Sequence, residues 1–156
     1  MDLAFALAFA IGVVAGLRSM TAPATVSWGA HLKWLDLRNS YLAFVGSAIA
    51  VAIISLLALA ELIADKLPKT PNRTAAVGLT ARILTGAFSG ATICIAANQS
   101  AVMGALLGGL GGIAGAFGGF HVRRYLVQDL HAPDIVIAVG EDLVAICGGL
   151  LIASKV

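Results

Sequence analysis

The stretch that decides the fold is YLAFVGSAIAVAIISLLALA, residues 41–60, twenty consecutive residues without a charged side chain. At 1.5 Å of rise per residue, a helix of this length covers roughly 30 Å, the thickness of the hydrocarbon part of a bilayer. A water-soluble core accommodates such a run poorly. We therefore predict a transmembrane helix here, continuing to residue 66.

The composition of the whole chain agrees with this prediction. Of the 156 residues, 60% are hydrophobic and 12% are charged, whereas a soluble domain has about half and about a quarter. The net charge of +2 is small and scattered, so no nucleic-acid partner is expected. Cys94 and Cys147 lie in apolar runs without metal-ligand spacing, and the histidines lie in or beside linkers. We expect no metal and no cofactor.

Four more apolar segments flank residues 41–66 in the sequence. One precedes them at 3–28, and three follow at 75–97, 100–120 and 135–153. The sequence thus predicts a single integral membrane domain, residues 1–156, built as an all-α bundle of about five transmembrane segments. Pro23 removes a backbone donor from segment one. That segment is therefore expected either as one helix kinked at Pro23 or as two half-helices that enter the membrane and return.

Basic residues predict the orientation in the membrane. Cytoplasmic loops carry an excess of lysine and arginine. The basic residues are concentrated in two linkers, which are therefore predicted to be cytoplasmic. The linker after segment two contains Lys66, Lys69 and Arg73, and the linker after segment four contains Arg123 and Arg124. Five spans then place the N-terminus inside and the C-terminus outside. A first segment that enters and returns places the N-terminus outside instead.

One face of segment four consists of glycine residues. At about 100° per residue its glycines fall within an arc of about 120°. They are Gly104, Gly108, Gly111, Gly112, Gly115, Gly118 and Gly119. Bulky residues such as Leu106 and Phe117 occupy the opposite side. Small faces let helix backbones approach closely, so this face is expected against other helices. The partner is a helix of the same chain, a helix of a second copy in a homo-oligomer, or a groove along a pore.

Ionisable residues interrupt the apolar segments or end them. They are Arg18, Glu61, Asp65, Arg82, Glu141 and Asp142. Such groups persist in a membrane mainly when they pair, face the bundle interior or line a polar path. With five spans, all except Arg18 lie in the cytoplasmic half. Arg18 joins them only if segment one turns back.

Helical phase predicts that these side chains point inward. Glu61 and Asp65 are four residues apart and share a face with small residues. Glu141 and Arg82 also lie on faces with small residues. Two functions are open. The cluster binds a small solute, ion or proton in a transporter or channel-like protein, or it only locks helices together in a membrane scaffold or lipid-interacting protein. The sequence contains no catalytic motif, so an enzyme is not expected.

Several motifs occur in a recognisable order along the chain. They are Gly16-Leu17-Arg18, Ala22-Pro23, Glu61-x-x-x-Asp65-Lys66-x-Pro68, a glycine-rich helix followed by His121, and Glu141-Asp142-Leu143. This order resembles the bacterial membrane family called domain of unknown function 4126, over nearly the whole chain. The resemblance implies a small multi-pass protein of the cell inner membrane, with no established activity or cofactor. It also implies that one constellation contains Arg18, Glu61, Asp65, Lys66 and Glu141.

The resulting hypothesis assigns roles to the charged residues. Glu61, Asp65 and Glu141 form the acidic centre of a transport site, and Arg18 and Arg82 supply the counter-charges. Asp142 and Lys66 are second choices. The lipid bilayer, a small solute or ion and further copies of the chain are the expected partners.

Overall fold

The computed structural model describes residues 3–65, 75–129, 131 and 133–156. All regular structure in these ranges is helical, which confirms the all-α prediction. The helices are α1 (Leu3–Leu17), α2 (Thr21–His31), α3 (Ala48–Ala64), α4 (Ala76–Ala96), α5 (Ala101–Arg124) and α6 (Asp134–Ala153). A short 3-10 helix, Ala43–Gly46, precedes α3, and a π-helical turn, Tyr125–Asp129, continues α5.

The first segment is broken, but not at Pro23. Helix α1 ends at Leu17 and α2 begins at Thr21, so the break lies ahead of the predicted position. Pro23 is the third residue of α2. In the first turn of a helix a backbone N–H has no intrahelical acceptor, so proline costs little there. The chain is interrupted at Arg18, Ser19 and Met20 instead, by contacts described below.

Helices α1 and α2 run in opposite directions. From Asp142 towards its C-terminal end, α6 passes first Arg18 and then Val14, so it is antiparallel to α1. The same helix passes first Thr25 and then Gly29, so it is parallel to α2. Segment one is therefore a helical hairpin rather than one kinked helix. We refer to residues 18–20 as the hairpin turn.

The second segment is also interrupted. After the 3-10 helix, Ser47 is extended and its side-chain oxygen accepts a hydrogen bond from the backbone N–H of Ala50. This is N-cap geometry, which serine favours because it satisfies a free N–H of the first turn. Helix α3 therefore begins at Ala48 and has 17 residues, fewer than the predicted 41–66. Residue 66 itself lies outside the described ranges.

Three helices in the described ranges are long and apolar enough to cross a membrane. They occupy Ala76–Ala96, Ala101–Asp129 and Asp134–Ala153, while α1 and α3 are apolar but shorter. Many large hydrophobic side chains on the outer faces are exposed, among them Leu56, Leu106 and Leu151. Exposed apolar surface on this scale marks a surface that meets lipid or other protein. The fold is that of an α-helical membrane protein.

The glycine face of α5 lies against α1 and α4 of the same chain. A Cβ atom added at Gly108 would lie 2.1 Å from the carbonyl oxygen of Gly86 in α4. One added at Gly115 would lie 2.2 Å from the carbonyl oxygen of Val13 in α1. The backbones are therefore in direct contact, so this face is not available to a second copy or to a pore.

Burial of the predicted glycines follows their phase with one exception. Among the described residues of α5 the buried members of the set are Gly104, Gly108, Gly111, Gly112, Gly115 and Gly119. Gly118 was placed in the same arc, but an added Cβ there would meet nothing within 4 Å. Leu106 and Phe117, on the opposite side, are exposed. Gly118 lies at the edge of the arc, beyond the reach of either neighbouring helix.

Candidate functional site

Arg18 is the centre of the charged cluster. Its side chain is 1% exposed and lies between the end of α3 and the middle of α6. Its Nε donates a hydrogen bond to Asp142 Oδ1 at 2.6 Å, and its Nη1 donates to Asp65 Oδ2. Two carboxylates that are distant in sequence thus pair with one buried guanidinium. The hairpin brings Arg18 into the cluster, where one continuous spanning helix would have placed it on the far side.

Glu61 holds the start of α2. Its Oε1 accepts hydrogen bonds from the backbone N–H of Ser19 at 2.8 Å and from Ser19 Oγ at 2.7 Å. Its Oε2 accepts from the backbone N–H of Met20 at 2.7 Å. Free N–H groups and the helix dipole make a helix N-terminus favourable for a carboxylate. Glu61 therefore compensates the new helix start that the hairpin creates.

Arg82 holds the end of α1. It is buried, and its Nε donates to the carbonyl oxygen of Gly16 at 3.1 Å. Its Nη1 donates to the carbonyl oxygen of Gly78 at 3.1 Å. Carbonyls in the last turn of a helix have no intrahelical donor and favour a cation. Arg82, predicted as a counter-charge to the acids, thus contacts the backbone of the broken helix.

Arg123, near the end of α5, forms a further group of ion pairs. Arg123 makes a two-point ion pair with Asp134, with Nε to Oδ1 at 2.9 Å and Nη2 to Oδ2 at 2.8 Å. Its Nη1 lies 3.7 Å from Glu141 Oε2. Glu141 and its neighbour Asp142 therefore turn towards different arginines. Arg123 is the penultimate residue of α5. Its place at the end of segment four predicted that it lies in the same half of the bundle as the acids, but did not predict its partners.

The cluster lies inside the bundle rather than at its end. Asp142 is the ninth residue of α6, about 12 Å from the start of that helix at 1.5 Å per residue. Arg82 is the seventh residue of α4, about 9 Å from its start. Asp142 bonds to Arg18 in the hairpin turn, and Arg82 bonds to Gly16 just before it. The turn therefore stops short of the ends of α4 and α6. Lys66, the remaining predicted member, lies outside the described residues.

Two buried polar atoms near the turn have no hydrogen-bond partner among the described residues. They are Arg18 Nη2 and Thr21 Oγ1. Thr21 also lines a cavity of about 400 Å³ between α2, α3 and α6. The lining of this cavity is apolar and includes neither Glu61 nor Glu141. Within the described ranges no three His, Cys, Asp or Glu side chains are arranged to hold a metal ion.

These features define a class: an α-helical membrane protein whose broken first segment is enclosed by buried ion pairs. The sequence matches the family described as domain of unknown function (DUF4126) over residues 5–155. The chain belongs to this family. No curated protein and no solved structure matches the chain.

Proposed function

We propose that the protein is a small transporter or channel-like protein of the cell inner membrane, with the Arg18 cluster as its site for an ion or small solute. The observation that carries this proposal is the position of the hairpin turn, which lies among carboxylates inside the bundle. Irregular backbone at membrane depth is tolerated where protein buries it or where it lines a polar path. Broken helices of transporters bind substrates and ions at their half-helix ends.

The proposed topology has a hairpin that enters the membrane and returns, followed by four crossing helices, α3 to α6. In this topology segment one does not cross the membrane, in contrast to the prediction of five spans. Both chain termini then lie on one side of the membrane. The basic linkers that follow α3 and α5 favour the cytoplasm for the cluster end of the bundle. The termini are therefore expected outside.

Cysteine labelling tests this topology. In a chain with Cys94 and Cys147 replaced by alanine, we expect Asp36→Cys to react with a membrane-impermeant maleimide on intact cells. We expect Gln128→Cys to react only after permeabilisation. Both positions are exposed, and they lie at opposite ends of the bundle. Labelling of Gln128→Cys on intact cells would overturn the orientation.

The hairpin has its own labelling control. Asp2→Cys and Lys155→Cys are expected to react from the same side, because a hairpin enters and leaves the membrane on one side and four crossings follow it. If these two positions react from opposite sides, segment one crosses the membrane as a single helix and the hairpin topology is wrong.

Glu61 links the proposed site to the start of α2. An ionised carboxylate accepts the hydrogen bonds of Ser19 and Met20, whereas a protonated one loses part of its acceptor capacity. In the proposed mechanism, loss of the Glu61 hydrogen bonds loosens the start of α2. The hairpin turn and Arg18 then move together, because Arg18 is the first residue of that turn.

Flux in proteoliposomes tests the transport proposal. We expect wild-type vesicles to relax an imposed pH or sodium gradient faster than empty vesicles, as measured with a trapped pH- or sodium-sensitive dye. Glu61→Gln is expected to assemble normally and to reduce flux to the empty-vesicle level. The matched control is Asp36→Asn in the linker after α2. The hydrogen bond from Arg38 lowers the pKa of Asp36 to about 2, and this exposed pair lies away from the cluster.

The second candidate function is a scaffold or lipid-interacting protein. The observation that favours it is that the charged groups of the cluster bond to the protein itself. Arg18 lies between two carboxylates, and Glu61 accepts hydrogen bonds from two backbone N–H groups. In that case the wild-type protein shows no flux under either gradient, and Glu61→Gln loses its folded, monodisperse form in detergent. This pair of results would assign the cluster to helix locking alone.

A further inference from the structure

The cavity between α2, α3 and α6 has the dimensions of a small-molecule site. Its volume is about 400 Å³, and ligand pockets span about 300–1,000 Å³. It follows α2 from Thr21 to Leu32, a distance of about 16 Å at 1.5 Å per residue. Its lining is almost entirely apolar, with contributions from Ala58 and Leu150. A long, narrow apolar space of this kind fits an alkyl chain.

One hydroxyl in the lining is unsatisfied. Of the three hydroxyl groups that line the cavity, Thr25 Oγ1 donates to the carbonyl oxygen of Ala22, and Ser55 Oγ accepts from Trp28 Nε1 at 3.0 Å. Thr21 is 3% exposed, and its Oγ1 has no partner in the part of the chain that the structure describes. A buried hydroxyl normally has a hydrogen-bond partner. The end of the cavity at Thr21 therefore offers an unused donor to a ligand.

The opening of the cavity indicates where a ligand comes from. Four residues that line the cavity are also exposed on the outer surface of the bundle: Trp28, Leu32, Trp34 and Leu59. Tryptophan is enriched where a protein meets the membrane interface. The cavity thus opens towards lipid.

We propose that this cavity binds a neutral single-chain amphiphile from the bilayer, with its terminal oxygen at Thr21 Oγ1 and its alkyl chain along α2. A neutral head group fits better than an anionic one, because the carboxylate of Glu61 lies against the two residues before Thr21. A second negative charge at this end would be repelled in a low-dielectric environment. This site is separate from the Arg18 cluster and does not depend on transport.

The chain carries its own reporters for this test. Its two tryptophans, Trp28 and Trp34, both line the cavity. We would titrate the protein in detergent with 1-dodecanol brominated at the far end of the chain, and compare bromododecane and brominated dodecanoate. We expect saturable quenching of tryptophan fluorescence, with a Kd for the alcohol about tenfold lower than for the other two, because one hydrogen bond contributes about a factor of ten.

Two variants separate the hydrogen bond from the alkyl site. Thr21→Val preserves the shape and removes the donor, so it is expected to weaken the alcohol about tenfold and to leave bromododecane unchanged. Ala58→Leu fills the space and is expected to weaken both probes. Equal affinity of wild type and Thr21→Val for the alcohol would overturn the assignment of Thr21. Tighter binding of dodecanoate than of dodecanol would overturn the neutral head group, and the absence of saturable quenching would overturn the site.

Discussion

Arg18→Met is expected to destabilise the folded protein by about 3–5 kcal/mol, because removing one partner of a buried ion pair leaves the other charge uncompensated. Two carboxylates are affected here. Asp142 is 8% exposed and bonds to Arg18 Nε, and Asp65 bonds to Nη1. Methionine has a similar length, so the loss comes from charge rather than from a cavity. Thermal unfolding in detergent, followed by circular dichroism and size-exclusion chromatography, measures the effect.

Two further variants identify the cause. Arg38→Met removes an arginine from the exposed pair with Asp36 and is expected to change stability little, since surface ion pairs contribute little. Asp142→Asn in the Arg18→Met background is expected to recover part of the loss, because the uncompensated charge is gone. If Arg18→Met unfolds at the same temperature as Arg38→Met, the Arg18 cluster does not hold the hairpin.

Gly108→Ala is the second substitution with a large expected effect. The added Cβ would lie 2.1 Å from the carbonyl oxygen of Gly86, which belongs to a helix backbone and has no rotamer to change. Helices α4 and α5 must separate to admit it. Overpacking of a well-packed interface costs about 1–3 kcal/mol and occasionally more, and a fixed backbone contact belongs at the upper end. The same unfolding measurements test it.

Gly118→Ala is the matched control on the same helix. An alanine Cβ at Gly118 would meet nothing within 4 Å. Since alanine is favoured over glycine inside a helix by about 1 kcal/mol, this variant is expected to be as stable as wild type or slightly more stable. Equal unfolding temperatures for Gly108→Ala and Gly118→Ala would show that α4 and α5 are not in backbone contact.

Local pattern predicted much of the packing. The glycine period of α5 identified the face that meets α1 and α4, since phase along a helix depends only on its regular geometry. The same reasoning does not distinguish adjacent positions at the site. It ranked Glu141 above Asp142, yet Asp142 is the residue bonded to Arg18. Two neighbouring residues differ by about 100° around a helix, and only the position of the partner decides which one is buried.

The sequence by itself determined that this is a helical membrane protein and which helix has a face of small residues. These properties follow from hydrophobicity and helical period, which are read within a few turns of chain. Only the tertiary structure decided that the first segment turns back at Arg18. A helix end leaves N–H and C=O groups without partners. Here their partners are Glu61, 42 positions from Ser19, and Arg82, 66 positions from Gly16, so the hairpin exists only when distant helices have come together.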